Sequence, residues 1–130
     1  MRRRLFLVVS VMAAACGRED ATPPQTAEER GLTAYRACAV CHARTDPSDP
    51  ATVRLAGPSL FGIWGAASAR LPDYDYSPAM RRAGLIWDDA ALDAYIADPQ
   101  ALVPGTRMSY GGEPDAQTRA AIIAYLKTLK

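Results

Sequence analysis

Residues 38–42 read Cys38-Ala39-Val40-Cys41-His42, and this stretch decides how the rest of the chain is interpreted. The two thiols are three positions apart, so one helical turn places them on the same side of the backbone. The imidazole follows the second thiol directly and belongs to the only histidine of the 130-residue chain. Three side chains that can bind a metal or a cofactor are therefore concentrated in a single turn.

The spacing C-x-x-C-H is typical of c-type haem attachment. Each thiol can add to one vinyl group of a haem, and the histidine then lies beneath the iron as its proximal ligand. Three other interpretations stay open for the motif alone: a thioredoxin-like disulfide, a zinc site, and a surface histidine placed there by chance. A disulfide of that type needs a βαβ context and zinc needs a second ligand pair. Neither is visible in the sequence, so haem attachment is favoured.

The second axial ligand of such a haem cannot be a histidine of the same chain, because His42 is the only one. It would be a methionine, another weak donor or nothing. Two of the four methionines lie in the N-terminal segment described below. Met108 follows the turn Pro104-Gly105, which can present a thioether at a fixed position, whereas Met80 lies in a predicted short helix and suits core packing. Met108 is therefore the predicted ligand.

The chain is predicted to be all-α, with helices separated by long loops. Thr26 and Glu29 form a capping-box pattern, which predicts a helix that starts there and runs to about Ala43. Capping residues, proline and apolar periodicity predict three further helices, which run from Ser77 to Gly84, from Asp88 to Ala97 and from Asp115 to Lys130. Residues 44–58 and 99–114 are rich in proline and glycine and are predicted to be loops. These helices bury little apolar surface, and a haem would supply the missing core.

The first 15 residues predict an export signal. They combine the cluster Arg2–Arg4 with the apolar run Leu5–Val11 and the small residues Ala13–Ala15. The apolar run is far shorter than the ~20 residues that span a bilayer. Small residues before Cys16 resemble a bacterial lipoprotein signal, which implies cleavage before Cys16, lipidation of its thiol and a membrane anchor. The alternative is ordinary cleavage at Ala-x-Ala, which leaves Cys16 free or discarded.

Residues 16–25 include Pro23-Pro24 and are predicted to be a flexible tether, followed by a single domain over residues 26–130. Removing the three arginines of the signal from 15 basic residues leaves 12 against 14 acidic residues, a formal charge of −2. This balance argues against nucleic acid as a partner, because a nucleic-acid binder is normally strongly basic.

Motifs spread from Gly31 to Leu126 resemble those of a class I c-type cytochrome of the mitochondrial-like bacterial branch. The matching positions are Gly31, Tyr35, Cys38, Cys41, His42, Gly57-Pro58-Ser59-Leu60, Tyr74, Tyr76, Trp87, Tyr95, Pro104 to Met108, Arg119, Ile122 and Ile123-Ala124-Tyr125-Leu126. The resemblance implies a fold of about four to five helices and long loops wrapped around one covalently bound haem c. It also implies that Gly31 and Tyr35 cross the last helix at Ile122 and Tyr125.

The same resemblance implies roles for residues that contact the haem. The Pro58 carbonyl would accept a hydrogen bond from the proximal histidine and orient it, as residues behind metal ligands commonly do. Tyr76, Trp87 and Thr106 would lie near the propionates, and Tyr95 would pack close to the axial methionine. The predicted cofactor site therefore consists of Cys38, Cys41, His42, Pro58, Tyr76, Trp87, Tyr95, Thr106 and Met108, with His42 and Met108 as the iron ligands.

The sequence also departs from the family. Ala66 stands where relatives often carry an arginine that helps to compensate a propionate, and it is open whether Arg70 substitutes for it. Only two lysines occur, so the lysine ring with which mitochondrial relatives dock is not reproduced. A smaller positive patch could be formed by Arg70, Arg81, Arg82 and Arg107, or these arginines are simply solvated surface.

The predicted function is single-electron transfer. The expected donor is a quinol-oxidising complex or a dehydrogenase, and the expected acceptor is an oxidase or a reductase. The expected location is the periplasm, in a membrane-anchored form. Two alternatives are a haem enzyme or gas sensor with a labile sixth ligand, and a fixed cytochrome subunit of a larger membrane complex.

Overall fold

The computed structural model describes residues 25–130, which form six helices. These are α1 (Ala27–Ala34), α2 (Arg36–Ala39), α3 (Pro78–Arg82), α4 (Asp89–Ala97), α5 (Pro99–Leu102) and α6 (Ala116–Leu126). Within the same range, extended backbone pairs only at one isolated bridge, between Ala67 and Ile86. The all-α prediction is confirmed. The predicted signal at residues 1–15, the lipidation of Cys16 and nearly all of the tether lie outside the described residues.

The first helix starts where the capping box predicts. The Thr26 hydroxyl accepts a hydrogen bond from the Glu29 amide at 3.2 Å, and the Glu29 carboxylate accepts one from the Thr26 amide at 2.8 Å. The predicted continuation to Ala43 is wrong, because α1 and α2 together end at Ala39. The Cys41 and Ala43 carbonyls accept instead from the Gly57 and Leu60 amides, at 2.7 and 2.9 Å. The last carbonyls of a helix have no partner within it, and here a distant loop satisfies two carbonyls just beyond α2.

Helices α1 and α6 cross at a glycine. A Cβ on Gly31 would lie 2.0 Å from the Ala121 carbonyl oxygen and 2.7 Å from the Tyr125 Cβ. The rings of Tyr35 and Tyr125 pack beside this point with their centroids 5.1 Å apart, and Ile122 is buried there. The predicted contact between the first and last helices is therefore confirmed, and it brings the two ends of the domain together.

Helices α3 to α6 each carry a side-chain cap at the first turn, whereas α2 has none. Ser77, Asp88 and Asp115 accept hydrogen bonds from backbone amides at the starts of α3, α4 and α6. Helix α5 lies in a segment predicted to be loop. Asp98 caps it by accepting from the Ala101 amide at 3.0 Å, and Pro99 begins it, a position where proline is favoured. Helix α6 ends before the predicted Lys130, at Leu126.

A single buried cluster joins these helices to the loops. It contains aromatic and aliphatic side chains from α3, α4, α6 and the segments between them, including Ile63, Trp87, Leu92, Tyr95, Val103 and Ile122. Half-buried side chains pack against this cluster, among them Cys38, Leu60, Tyr76, Met108 and Tyr110. No helix within residues 25–130 is long and apolar enough to cross a membrane.

Candidate haem-binding site

The turn that follows α2 places the two cysteines and the histidine. The Cys41 and His42 amides both donate to the Cys38 carbonyl, at 3.0 and 2.9 Å. Cys38 is half-buried and Cys41 is exposed, and both thiols are free. Burial raises the pKa of the Cys38 thiol. Free, closely spaced thiols are the state that thioether attachment requires.

His42 is oriented by the residue predicted to orient it. Its Nδ1 lies 2.7 Å from the Pro58 carbonyl oxygen. A carbonyl can only accept, so Nδ1 carries the proton and Nε2 keeps its lone pair. Burial lowers the pKa of His42, against the opposing effect of the bond to Pro58. The imidazole is therefore neutral with one nitrogen available, which is the form that binds a metal.

Two further residues hold His42, and neither role is visible from the motif. The Tyr35 hydroxyl donates to the His42 carbonyl at 3.0 Å. A Cβ on Gly57 would lie 2.4 Å from the His42 Cε1 and 2.6 Å from its Nδ1. The loop can therefore pass against the imidazole only with a glycine at this position. The contact between Tyr35 and His42 has one possible signal in the sequence, which is the hydroxyl that tyrosine places at a buried, mainly apolar position.

The segment that ends in Met108 is held by Thr106. The Thr106 and Tyr95 hydroxyls pair at 2.6 Å, and the Met108 amide donates to the same threonine oxygen at 3.4 Å. The side-chain Nε2 of Gln100 donates to the Thr106 carbonyl at 2.9 Å. Met108 itself is half-buried against the core. The Tyr95 hydroxyl, the Thr106 hydroxyl and the Met108 backbone are thus connected, while the predicted contacts of Tyr95 and Thr106 with a haem and its ligand stay predictions.

An orphaned donor tests whether these residues fit a haem. Arg70 Nη2 donates to the Ser59 carbonyl at 3.2 Å and to the Phe61 carbonyl. Its Nε is fully buried and has no hydrogen-bond partner among the described residues. Buried donors in native proteins are almost always satisfied, and a haem carboxylate is an acceptor of the required kind.

The donor set also fits a haem better than zinc. No group of three or more His, Cys, Asp or Glu side chains within residues 25–130 could hold a metal ion. One neutral imidazole and one thioether, with two thiols beside the imidazole, match the attachment and ligation of a c-type haem. The residues present therefore fit this cofactor.

Known proteins resemble this chain over most of its length. Cytochrome c2 of Rhodopila globiformis is 43% identical over 108 residues, which cover 83% of this chain and 97% of the relative. Cytochrome c2 iso-1 of Magnetospirillum molischianum is 39% identical over 113 residues, 85% of this chain and 99% of the relative. No family model matches the chain.

A solved structure supports the same relationship. Cytochrome cH from Methylobacterium extorquens superposes with a TM-score of 0.70 at 36% identity, covering 78% of this chain and 97% of that structure. The chain belongs to the class I cytochromes c. A cytochrome of this class carries one covalent haem c and transfers electrons rather than catalysing a reaction. The predicted fold, cofactor and electron-transfer role of this cytochrome are therefore confirmed.

The predicted aromatic residues of the cytochrome are buried or half-buried in the core. Trp87 and Tyr95 are 5% and 8% exposed, with ring centroids 5.0 Å apart. Tyr76 is half-buried against Tyr74, and burial raises the pKa of its hydroxyl. Met80 is only 8% exposed within the buried cluster, which agrees with its predicted packing role.

Three of the four arginines of the predicted positive patch are engaged by other groups of the described chain. Arg107 and Arg81 both approach Asp75, at 2.8 and 3.6 Å. The guanidinium of Arg70 is turned to backbone carbonyls instead. Of the four, Arg82 alone makes no ion pair or hydrogen bond through its side chain within the described residues.

Tyr95→Phe tests whether the hydrogen bond between the Tyr95 and Thr106 hydroxyls stabilises the segment that carries Met108. The change removes one partner of a buried hydroxyl pair, and we expect the free energy of unfolding to fall by about 1 kcal/mol. The midpoint of guanidinium unfolding measures this loss. Tyr110→Phe is the matched control, because Tyr110 is only half-buried and lies outside this pair. Equal effects of the two changes would contradict a holding role for the Tyr95 hydroxyl.

Proposed function

We propose that this cytochrome is a single-electron carrier with His42 and Met108 as the axial ligands of its haem iron. The observation that carries the proposal is the connected hold on Met108 by Thr106 and Tyr95, which fixes the thioether segment against the core. The bound haem supplies one reversible exchange between Fe(III) and Fe(II), and a thioether ligand raises its reduction potential.

The proximal residues support a permanent ligand. Pro58 keeps the proton on Nδ1 of His42, so Nε2 stays free for the iron in both redox states. Tyr35 fixes the backbone of the same residue. An electron carrier gains from such rigidity, because little reorganisation then accompanies each transfer.

The segment that carries Met108 is also held by Arg107, the residue directly before the proposed ligand. Arg107 donates to the Asp75 carbonyl at 2.6 Å and to its carboxylate at 2.8 Å. The Arg107 guanidinium beside Asp75 lowers the pKa of that carboxyl. An exposed ion pair alone stabilises little. Here it adds to a backbone hydrogen bond, and together they join the ligand segment to the loop that carries Tyr76.

The proposed setting is the periplasm, where the domain would be anchored through a lipidated Cys16. Electrons would come from a quinol-oxidising complex or a dehydrogenase and pass to an oxidase or a reductase. Relatives named cytochrome c2 support exchange with other redox proteins. The tether at residues 16–25 would let the domain reach roughly 15–20 Å from its anchor if it is flexible.

Optical spectra of the protein matured in a periplasm test the proposal. We expect low-spin spectra in both redox states, a far-red band from sulfur bound to ferric iron, and no response of the reduced protein to carbon monoxide. The protein would be oxidised, then reduced, then exposed to the gas. A high-spin spectrum that shifts at once with carbon monoxide would overturn Met108 as a stable ligand and favour gas sensing.

A further inference from the structure

Arg70 is partly withdrawn from water, and its side chain holds a buried nitrogen that has no hydrogen-bond partner among the described residues. It follows Ala69, which has φ +54, the left-handed region that alanine rarely adopts. A strained backbone conformation of this kind persists only where the surrounding contacts enforce it, and it is often found at ligand-binding positions. The strained turn and the inward arginine are adjacent in the chain.

The hydrogen bonds of Arg70 are incomplete. Its Nη2 donates to two carbonyls, those of Ser59 and Phe61, in the segment that follows Pro58. Its Nε is buried and donates to no atom of residues 25–130. The guanidinium Nε is a charge-assisted donor, so an anionic acceptor is the partner that suits it best.

The acidic and titratable groups around Arg70 do not supply that partner. Asp46 senses the charge of Arg70 weakly, but it is exposed and accepts from the amide and hydroxyl of Ser48 at 2.8 and 2.7 Å. Tyr76 also senses it, and burial raises the pKa of that hydroxyl, so it stays neutral at physiological pH. Arg81, which stacks near Tyr76, is a cation itself. The described chain therefore offers Arg70 no buried anion.

We infer that Arg70 binds a carboxylate of the haem through its Nε, and that it helps to set the reduction potential of this cytochrome. The inference rests on the proposed placement of the haem between His42 and Met108. Arg70 links that carboxylate to the segment behind His42, because the same guanidinium holds the Ser59 and Phe61 carbonyls. The ligand chemistry it recognises is a buried, monovalent carboxylate.

The positive charge of Arg70 is expected to raise the reduction potential of the iron. A nearby cation disfavours the more positive ferric state, so Arg70 raises the reduction potential. In Arg70→Gln this contribution is lost, and the carboxylate is left without its counter-charge. The pKa of that carboxylate then rises. At a pH below this raised pKa the carboxyl is neutral, so the loss of the arginine charge is balanced by the loss of the carboxylate charge. At a pH above it the unpaired carboxylate lowers the reduction potential.

Potentiometric titration of the holoprotein as a function of pH tests the inference. At neutral pH we expect Arg70→Gln to shift the equilibrium about threefold toward the oxidised form, roughly 30 mV at 59 mV per tenfold. We also expect a new fall in potential with rising pH between about pH 5 and 8, where a desolvated carboxyl titrates. Arg70→Lys should restore most of the potential, because it keeps the charge.

Three further variants make the result decisive. Arg54→Gln removes an exposed arginine and should leave the potential and its pH dependence unchanged. Asp46→Asn added to Arg70→Gln should leave the new pH step in place, because the step belongs to the haem carboxylate. Arg70→Met keeps an apolar side chain of similar length and replaces Arg70→Gln if that variant does not mature. The same shift in potential and the same new pH step are expected.

The inference is overturned if Arg70→Gln and Arg70→Met keep the wild-type potential with no new pH step, because Arg70 would then only bind backbone carbonyls. It is also overturned if Asp46→Asn abolishes the step. The proposed ligation by Met108 has a separate test, since absence of the far-red sulfur band in the wild-type protein would contradict it. A potential shift in Arg70→Gln would still support the carboxylate contact in that case.

Discussion

Met108→Ala is expected to open the iron of this cytochrome on its distal side. Loss of the thioether removes the proposed sixth ligand, and this chain has no second histidine to replace it. We expect loss of the far-red sulfur band, a high-spin ferric spectrum and rapid binding of carbon monoxide by the reduced protein. We also expect the potential to fall by more than about 59 mV, a tenfold change in the oxidised-to-reduced ratio.

Met80→Leu is the matched control for this change. Met80 is 8% exposed in the buried cluster, and replacing methionine by leucine conserves volume at a cost below about 1.5 kcal/mol. The sulfur band and the indifference to carbon monoxide should therefore survive. The opposite pattern, with the band lost in Met80→Leu and kept in Met108→Ala, would assign the ligand to Met80 and refute the proposed one.

Gly31→Ala is expected to cause a large loss of stability for a single added methyl group. The added Cβ would lie 2.0 Å from the Ala121 carbonyl oxygen and 2.7 Å from the Tyr125 Cβ. Both are fixed parts of α6 close to its backbone, so the crossing helices must separate. Overpacking of this kind costs about 3 kcal/mol. Guanidinium unfolding followed by haem absorbance measures the loss.

Gly111→Ala provides the comparison for the helix crossing. No atom lies within 4 Å of a Cβ at that position, and its φ is not in the left-handed region. We expect its unfolding midpoint to stay close to that of the wild type. A Gly31→Ala protein as stable as Gly111→Ala would show that α1 and α6 do not pack as closely as described.

Local sequence was sufficient for the parts of the fold that depend on neighbouring residues. Thr26, Ser77, Asp88 and Asp115 are caps because each can accept from an amide two or three residues further along its own chain. The attachment motif is equally local, since Cys38, Cys41 and His42 occupy one turn. These interactions involve short separations, so residue type and spacing predict them.

Contacts between distant segments could not be predicted in the same way. Beyond the end of the first helical segment, the Cys41 and Ala43 carbonyls accept from residues 57 and 60, which only the fold brings near. The short helix α5 was missed because a proline that ends one helix can also begin the next. Here Asp98 caps the new helix and decides between the two outcomes.

The sequence by itself determined the chemistry available to this protein: one histidine, two thiols beside it, two candidate methionines and an all-α chain with strong helix caps. Only the tertiary structure decided which groups are held and by what. It paired Thr106 with Tyr95 at 2.6 Å, tied Tyr35 to His42 at 3.0 Å and buried the Nε of Arg70 without a partner. The physical reason is that chemical identity belongs to each residue, whereas burial and hydrogen-bond partners depend on segments that are far apart in the chain.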